Sequence, residues 1–222
     1  MTTGDFTATQ ESVIQQIRQT RIIPICRLEA YDQVTRMARA LLDGGIPIIE
    51  ITLTGKGVLD AVAQVRATFG TSVLIGVGTV LDAESARNAI RAGAHFIVTP
   101  ILRPRVIDEC HKQNVSIICG AFTPTEAQDA HEAGADMIKI FPIRALGAAF
   151  IKDVLGPLPH LQIVPTGGIS FENARSFIDA GALAVGMGRE IVSQDLVTRG
   201  DWAAIQDRAA QAFQSVSTPR IP

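Results

Sequence analysis

One junction recurs four times along this 222-residue chain and restricts its fold more than any other feature. Leu42-Asp43-Gly44-Gly45 precedes IPIIEI, Arg91-Ala92-Gly93-Ala94 precedes HFIV, Glu132-Ala133-Gly134-Ala135 precedes DMIK, and Asp179-Ala180-Gly181-Ala182 precedes LAVG. Glycine tolerates the left-handed backbone with which many helices end, so each junction reads as a helix terminus leading straight into a strand. The strands are continuous apolar runs, not alternating ones. That pattern belongs to strands covered by helices, as in parallel sheets.

Taken in order, the apolar runs give eight strands, at 22–28, 46–53, 73–80, 96–100, 116–122, 137–142, 163–168 and 184–188. Helical patterns fall between them: 30–42, the stretch holding Val58, Leu59, Val62 and Val65, a segment capped by Asp82 and ending near Ala92, then 103–113, 124–133, 148–155, 171–180 and 202–214. Eight βα units predict an α/β fold, a (β/α)8 TIM barrel with a leading N-terminal helix over 10–20; an open doubly wound sheet is the alternative. The length suits one domain over residues 1–222, with 1–9 as a flexible N-terminal tail.

Partners are narrowed by charge and cysteine usage. A net charge of −2 and a pI near 6.1 leave no footprint for nucleic acid or an anionic membrane, so a small-molecule partner is expected. Charged residues make up only 19% of the chain, which permits a subunit contact. Cys26, Cys110 and Cys119 lack CxxC spacing and a companion histidine cluster, arguing for reduced core thiols with neither disulfide nor zinc. The N-terminus has no signal-like pattern and no run is long enough to span a bilayer, so a cytoplasmic protein is expected.

In such a barrel function gathers at the C-terminal ends of the strands. Polar residues there are Arg27, Glu50, Thr52, Thr54, Thr79, Thr99, Thr123, Lys139, Thr166 and Arg189. Lys139 stands within DMIKIFP, in the middle of an apolar strand. A buried lysine pairs with an anion or gives up its proton, and the neutral amine attacks carbonyl carbon; alternatively, it snorkels to water. The chain has sixteen arginines but only four lysines, and Lys56, Lys112 and Lys152 fall in segments that read as loop or helix surface. Glu50 is likewise an acid inside an apolar strand, facing Lys139 either as a proton-exchanging partner or as a plain internal salt bridge. Gly167 and Gly168 follow the seventh strand, and Gly188 with Arg189 the eighth. Glycine turns in those two positions are the usual phosphate seat of the fold, although either motif alone would more often be an ordinary turn.

The motifs GGIPIIEITL, VGTV, FIVTP, FTPTEA, KIFP and PTGGIS, in this order and spacing, closely resemble the class I aldolases acting on 2-keto-3-deoxy-6-phosphogluconate (KDPG) and 4-hydroxy-2-oxoglutarate (KHG). The resemblance implies that Lys139 forms a Schiff base with a keto acid and that Glu50 is the general acid/base. It implies that Thr79 and Thr166 line the site, that Pro100 and Phe141 form apolar walls, that no metal or other cofactor is needed, and that the chain forms a homotrimer. Two departures stand out. Many relatives have an arginine for the pyruvate carboxylate where this chain has Thr54; Arg27, matching an arginine in others of the family, would take over the task or else be a surface ion pair. Arg189 replaces an expected Gly-Ser pair, and either strengthens phosphate binding or fills the space and favours an unphosphorylated substrate. The resemblance thus implies cleavage of KDPG to pyruvate and glyceraldehyde 3-phosphate, with KHG or the galactonate epimer as rival substrates. A phosphate-binding barrel without catalysis is the rival from outside enzymology.

Overall fold

The structure, a computed structural model, describes residues 9–217. Eight strands, β1 (Ile22–Cys26), β2 (Ile48–Thr52), β3 (Leu74–Gly78), β4 (Phe96–Val98), β5 (Ser116–Ala121), β6 (Met137–Ile140), β7 (Ile163–Pro165) and β8 (Val185–Met187), form one parallel sheet. Each strand pairs with its sequence neighbour, and β8 returns to pair with β1. Between β7 and β8 the ring is closed by a bridge from Thr166 to Gly186 and by the Leu183 amide donating to the Ile163 carbonyl at 2.9 Å. The result is the barrel expected, not an open sheet.

Helix α1 (Gln10–Thr20) precedes the barrel, with Thr9 as its N-cap; the rest of the expected tail lies outside the described residues. Its apolar face, Val13, Ile14 and Ile17, is buried, Gln10 donates to the Val115 carbonyl beside β5, and Arg18 reaches Gln162 beside β7. The helix therefore lies across the N-terminal end of the ring, opposite the end where chemistry is expected. Helices α2 (Val34–Asp43), α3 (Val58–Phe69), α4 (Ala83–Arg91), α5 (Pro104–Lys112), α6 (Pro124–Glu132), α7 (Gly147–Leu155) and α8 (Ala174–Asp179) each follow the strand of one lower number. After β8 come α9 (Gln194–Arg199) and α10 (Trp202–Ser217).

All four glycine junctions do what their sequence predicts. Gly45, Gly93, Gly134 and Gly181 have φ of 89°, 108°, 97° and 105°. In each, the glycine amide and the next amide turn back to carbonyls of the last helical turn, as in Ile46 to Leu41 and Gly45 to Leu42, both at 2.9 Å. The strand cores are buried without exception. Every strand ends earlier than its apolar run, because the last residues of each run leave the ladder and turn over the mouth as loop. Among the described residues no helix is long and apolar enough to cross a membrane.

Candidate active site

Counted either way round the closed ring, β2 and β6 stand four strands apart, on opposite walls. Their two ionisable residues nevertheless meet. Lys139 Nζ lies 3.6 Å from Glu50 Oε1, with side chains 9% and 3% exposed, so both side chains point inward across the bore. Room for the carboxylate comes from β3: a Cβ at Gly78 would overlap Glu50 Oε1, just as one at Gly76 would overlap the Phe96 ring. Among the described residues Glu50 Oε1 has no hydrogen-bond partner despite being buried, because the ammonium stands just beyond hydrogen-bond distance. A buried acceptor with its capacity unspent is costly in a purely structural pair and useful in a site that must receive a proton.

Several other residues named from sequence follow the ends of β2, β3, β4 and β6. The Phe141 ring centroid lies 5.6 Å from Lys139 Nζ, near enough for the ring face to attract the ammonium. Gly120, paired in register with Lys139, lacks the Cβ that would otherwise strike the Pro100 backbone, so the loop after β4 packs beside the lysine. Thr79, directly after β3, has φ 61°, a left-handed backbone that a β-branched residue adopts only under strain. Thr54 shares a 2.8 Å hydrogen bond between hydroxyls with Thr52.

Tyr31, the single tyrosine of the chain, was not singled out from sequence, and it organises this corner. Its hydroxyl accepts from the Thr52 amide at 3.0 Å and donates to the Cys26 carbonyl, tying the end of β1, and hence Arg27, to the end of β2. Burial foremost holds its phenol above the usual range, which keeps it a donor. Burial, and then the charge of Glu50, push the Cys26 thiol far up, so that buried sulfur is no competing nucleophile.

A cavity of about 1000 Å³ opens over β1, β6, β7 and β8 and is lined by Arg27, Phe141, Thr166, Gly167, Gly168, Gly188 and Arg189, all named from sequence. Its wall also includes Ser170, the last residue of the PTGGIS motif, and Arg144 and Glu190, which sequence reasoning missed. Glu50, Lys139, Thr54, Thr79 and Pro100 are not on that wall; Phe141 is shared, since its ring faces both Lys139 and the cavity. Two residues read as mouth polar groups have structural work instead. Thr99 is fully buried, donating to Cys119 Sγ at 3.4 Å and accepting from the Gly120 amide at 3.0 Å. Thr123 forms a capping box with Glu126 at the start of α6. Among the described residues no three His, Cys, Asp or Glu side chains come together as a metal site would require.

Residues 13–208 match the family described as KDPG and KHG aldolase. The chain belongs to that family. The 2-dehydro-3-deoxy-phosphogluconate aldolase of Haemophilus influenzae is 34% identical over 89% of this chain and 93% of its own length. The 2-dehydro-3-deoxy-6-phosphogalactonate aldolase of Escherichia coli is 33% identical over 77% of this chain and 83% of its own. Among solved structures, the KDPG aldolase of Legionella pneumophila, with pyruvate captured as a covalent carbinolamine, superposes with a TM-score of 0.84 at 25% identity, covering 90% of this chain and 97% of that one.

Proposed function

We propose that this chain is a class I aldolase that reversibly cleaves KDPG to pyruvate and glyceraldehyde 3-phosphate. The observation that carries the reading is the buried pair, Lys139 Nζ at 3.6 Å from a Glu50 oxygen that accepts no hydrogen bond among the described residues. An ammonium cannot attack carbon; Lys139 must first pass a proton on, and Glu50 is the acceptor within reach. The neutral amine then adds to the ketone carbon C2, Glu50 gives its proton to the carbinolamine oxygen, and that oxygen leaves as water to form the iminium, with Glu50 again a carboxylate. Glu50, acting through water, removes the proton of the C4 hydroxyl as the C3–C4 bond breaks, and the bonding electrons come to rest in an enamine. Protonation at C3 and hydrolysis release pyruvate. The iminium is itself the electron sink, so the step needs no metal.

Around that centre, Arg27 holds the carboxylate of the keto acid in place of the arginine absent at Thr54. Thr54, Thr79 and Thr166 offer hydroxyls, and Pro100 and Phe141 exclude water from the reacting carbons. Gly167, Gly168, Gly188 and Arg189 hold the phosphate. The buried free thiols Cys26, Cys110 and Cys119 suit a reducing cytoplasm. The test is borohydride reduction in the presence of pyruvate. A pyruvate-sized mass is expected on the peptide containing Lys139, and turnover is expected to survive a chelator; a phosphate-binding barrel without catalysis would gain no mass. The similarity to a phosphogalactonate aldolase favours a second substrate, the C4 epimer, and kcat/KM on the two epimers decides between them.

The chain also assembles, in this reading, as a homotrimer. Leu81, Ile101 and Phe122 are large apolar side chains left exposed on the loops after β3, β4 and β5, at one end of the barrel. Light scattering is expected to return three times the 23.7 kDa of the chain. A monomeric mass at micromolar concentration would remove the proposal.

A further inference from the structure

We infer that Arg144, in the short helical turn after β6, is a specificity-determining residue that grips the substrate's phosphate together with Arg189; the inference rests on the aldolase reading above. Arg144 sits in a three-residue 3-10 turn, Ile143–Ala145, and its side chain lies along the glycine loop after β7. A Cβ on Gly168 would stand 2.8 Å from Arg144 Cβ and 2.9 Å from its Nε, and Gly168 also has φ 91°. The loop is therefore bare on the side where the arginine passes. Any side chain at 168 would displace the guanidinium from the loop.

Arg27, Arg144 and Arg189 all line the same cavity. Among the described residues none of the three guanidinium groups has a hydrogen-bond or ion-pair partner. Of the acids on the wall, Asp195 is already paired with Arg199 at 2.8 Å, a residue off the wall, which leaves Glu190 as the acid not so engaged. Three uncommitted cations against one such acid suit a ligand with more than one negative charge. A phosphorylated keto acid has a carboxylate at one end and a phosphate dianion at the other. Arg27, on the β1 side, is given to the carboxylate; Arg144 and Arg189 flank the glycine loops of β7 and β8 and can each present a planar fork of donors to phosphate oxygens. Charge at Arg189 then adds to phosphate binding, and the unphosphorylated keto acid is the poorer substrate.

The test compares full-length wild type with Arg144→Ala and Arg144→Lys. The first measurement is kcat/KM on KDPG and on its unphosphorylated counterpart; the second is the Kd of inorganic phosphate by calorimetry. Arg144→Ala is expected to lower the preference for the phosphorylated substrate, and to weaken inorganic phosphate, by about 10- to 100-fold, the range for losing hydrogen bonds to a charged group. Arg144→Lys is expected to recover part of both, keeping the charge but not the fork. Equal losses on the two substrates, an unchanged phosphate Kd, or a wild type with no preference for the phosphorylated substrate would each overturn the assignment. Failure of pyruvate trapping on Lys139 would defeat the aldolase reading instead, and the phosphate titration would still decide for or against Arg144.

Discussion

Lys139→Ala is expected to lower kcat by about 10⁴-fold or more, the scale seen when a covalent nucleophile is deleted. The structure supplies no substitute. Lys112 and Lys152 are exposed on α5 and α7, Lys56 is exposed in the loop after β2 and off the cavity wall, and the cations on that wall are arginines. The variant also strands Glu50, 2% exposed, without its counter-charge, and breaking a buried pair on one side costs about 3–5 kcal/mol. Activity could therefore vanish through unfolding alone, and a second variant separates the causes. Replacing both partners, Lys139→Met with Glu50→Gln, removes the stranded charge and is expected to restore most of the lost stability in urea titrations, because apolar or neutral replacement of a buried pair is often close to neutral. It is not expected to restore turnover. A double variant that regained stability and activity together would show the pair to be structural and the amine dispensable.

The same pair marks the boundary of what the chain's letters reveal. Strand count and helix order were legible because the deciding signals are local: four glycine termini with φ between 89° and 108°, and apolar runs that only covered strands carry; closure rested on the count of eight and is decided by the pairing of β8 with β1 and its bridge to Thr166 after β7. From strands two and six of an eight-stranded ring it also follows that an acid and an amine pointing inward face each other, although not that 3.6 Å separates them. Helix α9 escapes a reading by pattern despite a Ser193 N-cap and a Gly200 C-cap, because Leu196 alone of its six residues is buried and leaves no apolar period to see. Arg144 and Tyr31 carry no local signature. The first matters because the turn after β6 falls against the glycines after β7, and the second because its hydroxyl reaches the ends of two strands; both relations exist only once the ring has closed. Thr99 and Thr123 err the other way. Position at a strand end suggested the site, and buried hydrogen bonding or helix capping had already claimed their hydroxyls.

Glu50→Gln is expected to lower kcat by about 10²- to 10⁴-fold while leaving KM within a few-fold, the signature of a lost general acid/base. The amide has nearly the shape of the carboxylate, and the space left by Gly78 admits either, so binding of the keto acid is little disturbed. What the amide cannot do is take a proton from the C4 hydroxyl or return one to C3 of the enamine. The second task has its own readout. Wild-type enzyme in deuterium oxide is expected to exchange the methyl protons of pyruvate without any aldehyde present, and Glu50→Gln to slow that exchange in parallel with cleavage. Borohydride should still trap pyruvate on Lys139 in the variant, at higher pyruvate or longer time, since the amine remains. If KM rose and kcat held, Glu50 would be a binding group; if cleavage slowed while methyl exchange did not, another group would be delivering the proton to C3, and the buried oxygen at 3.6 Å from the amine would serve only the C4 hydroxyl.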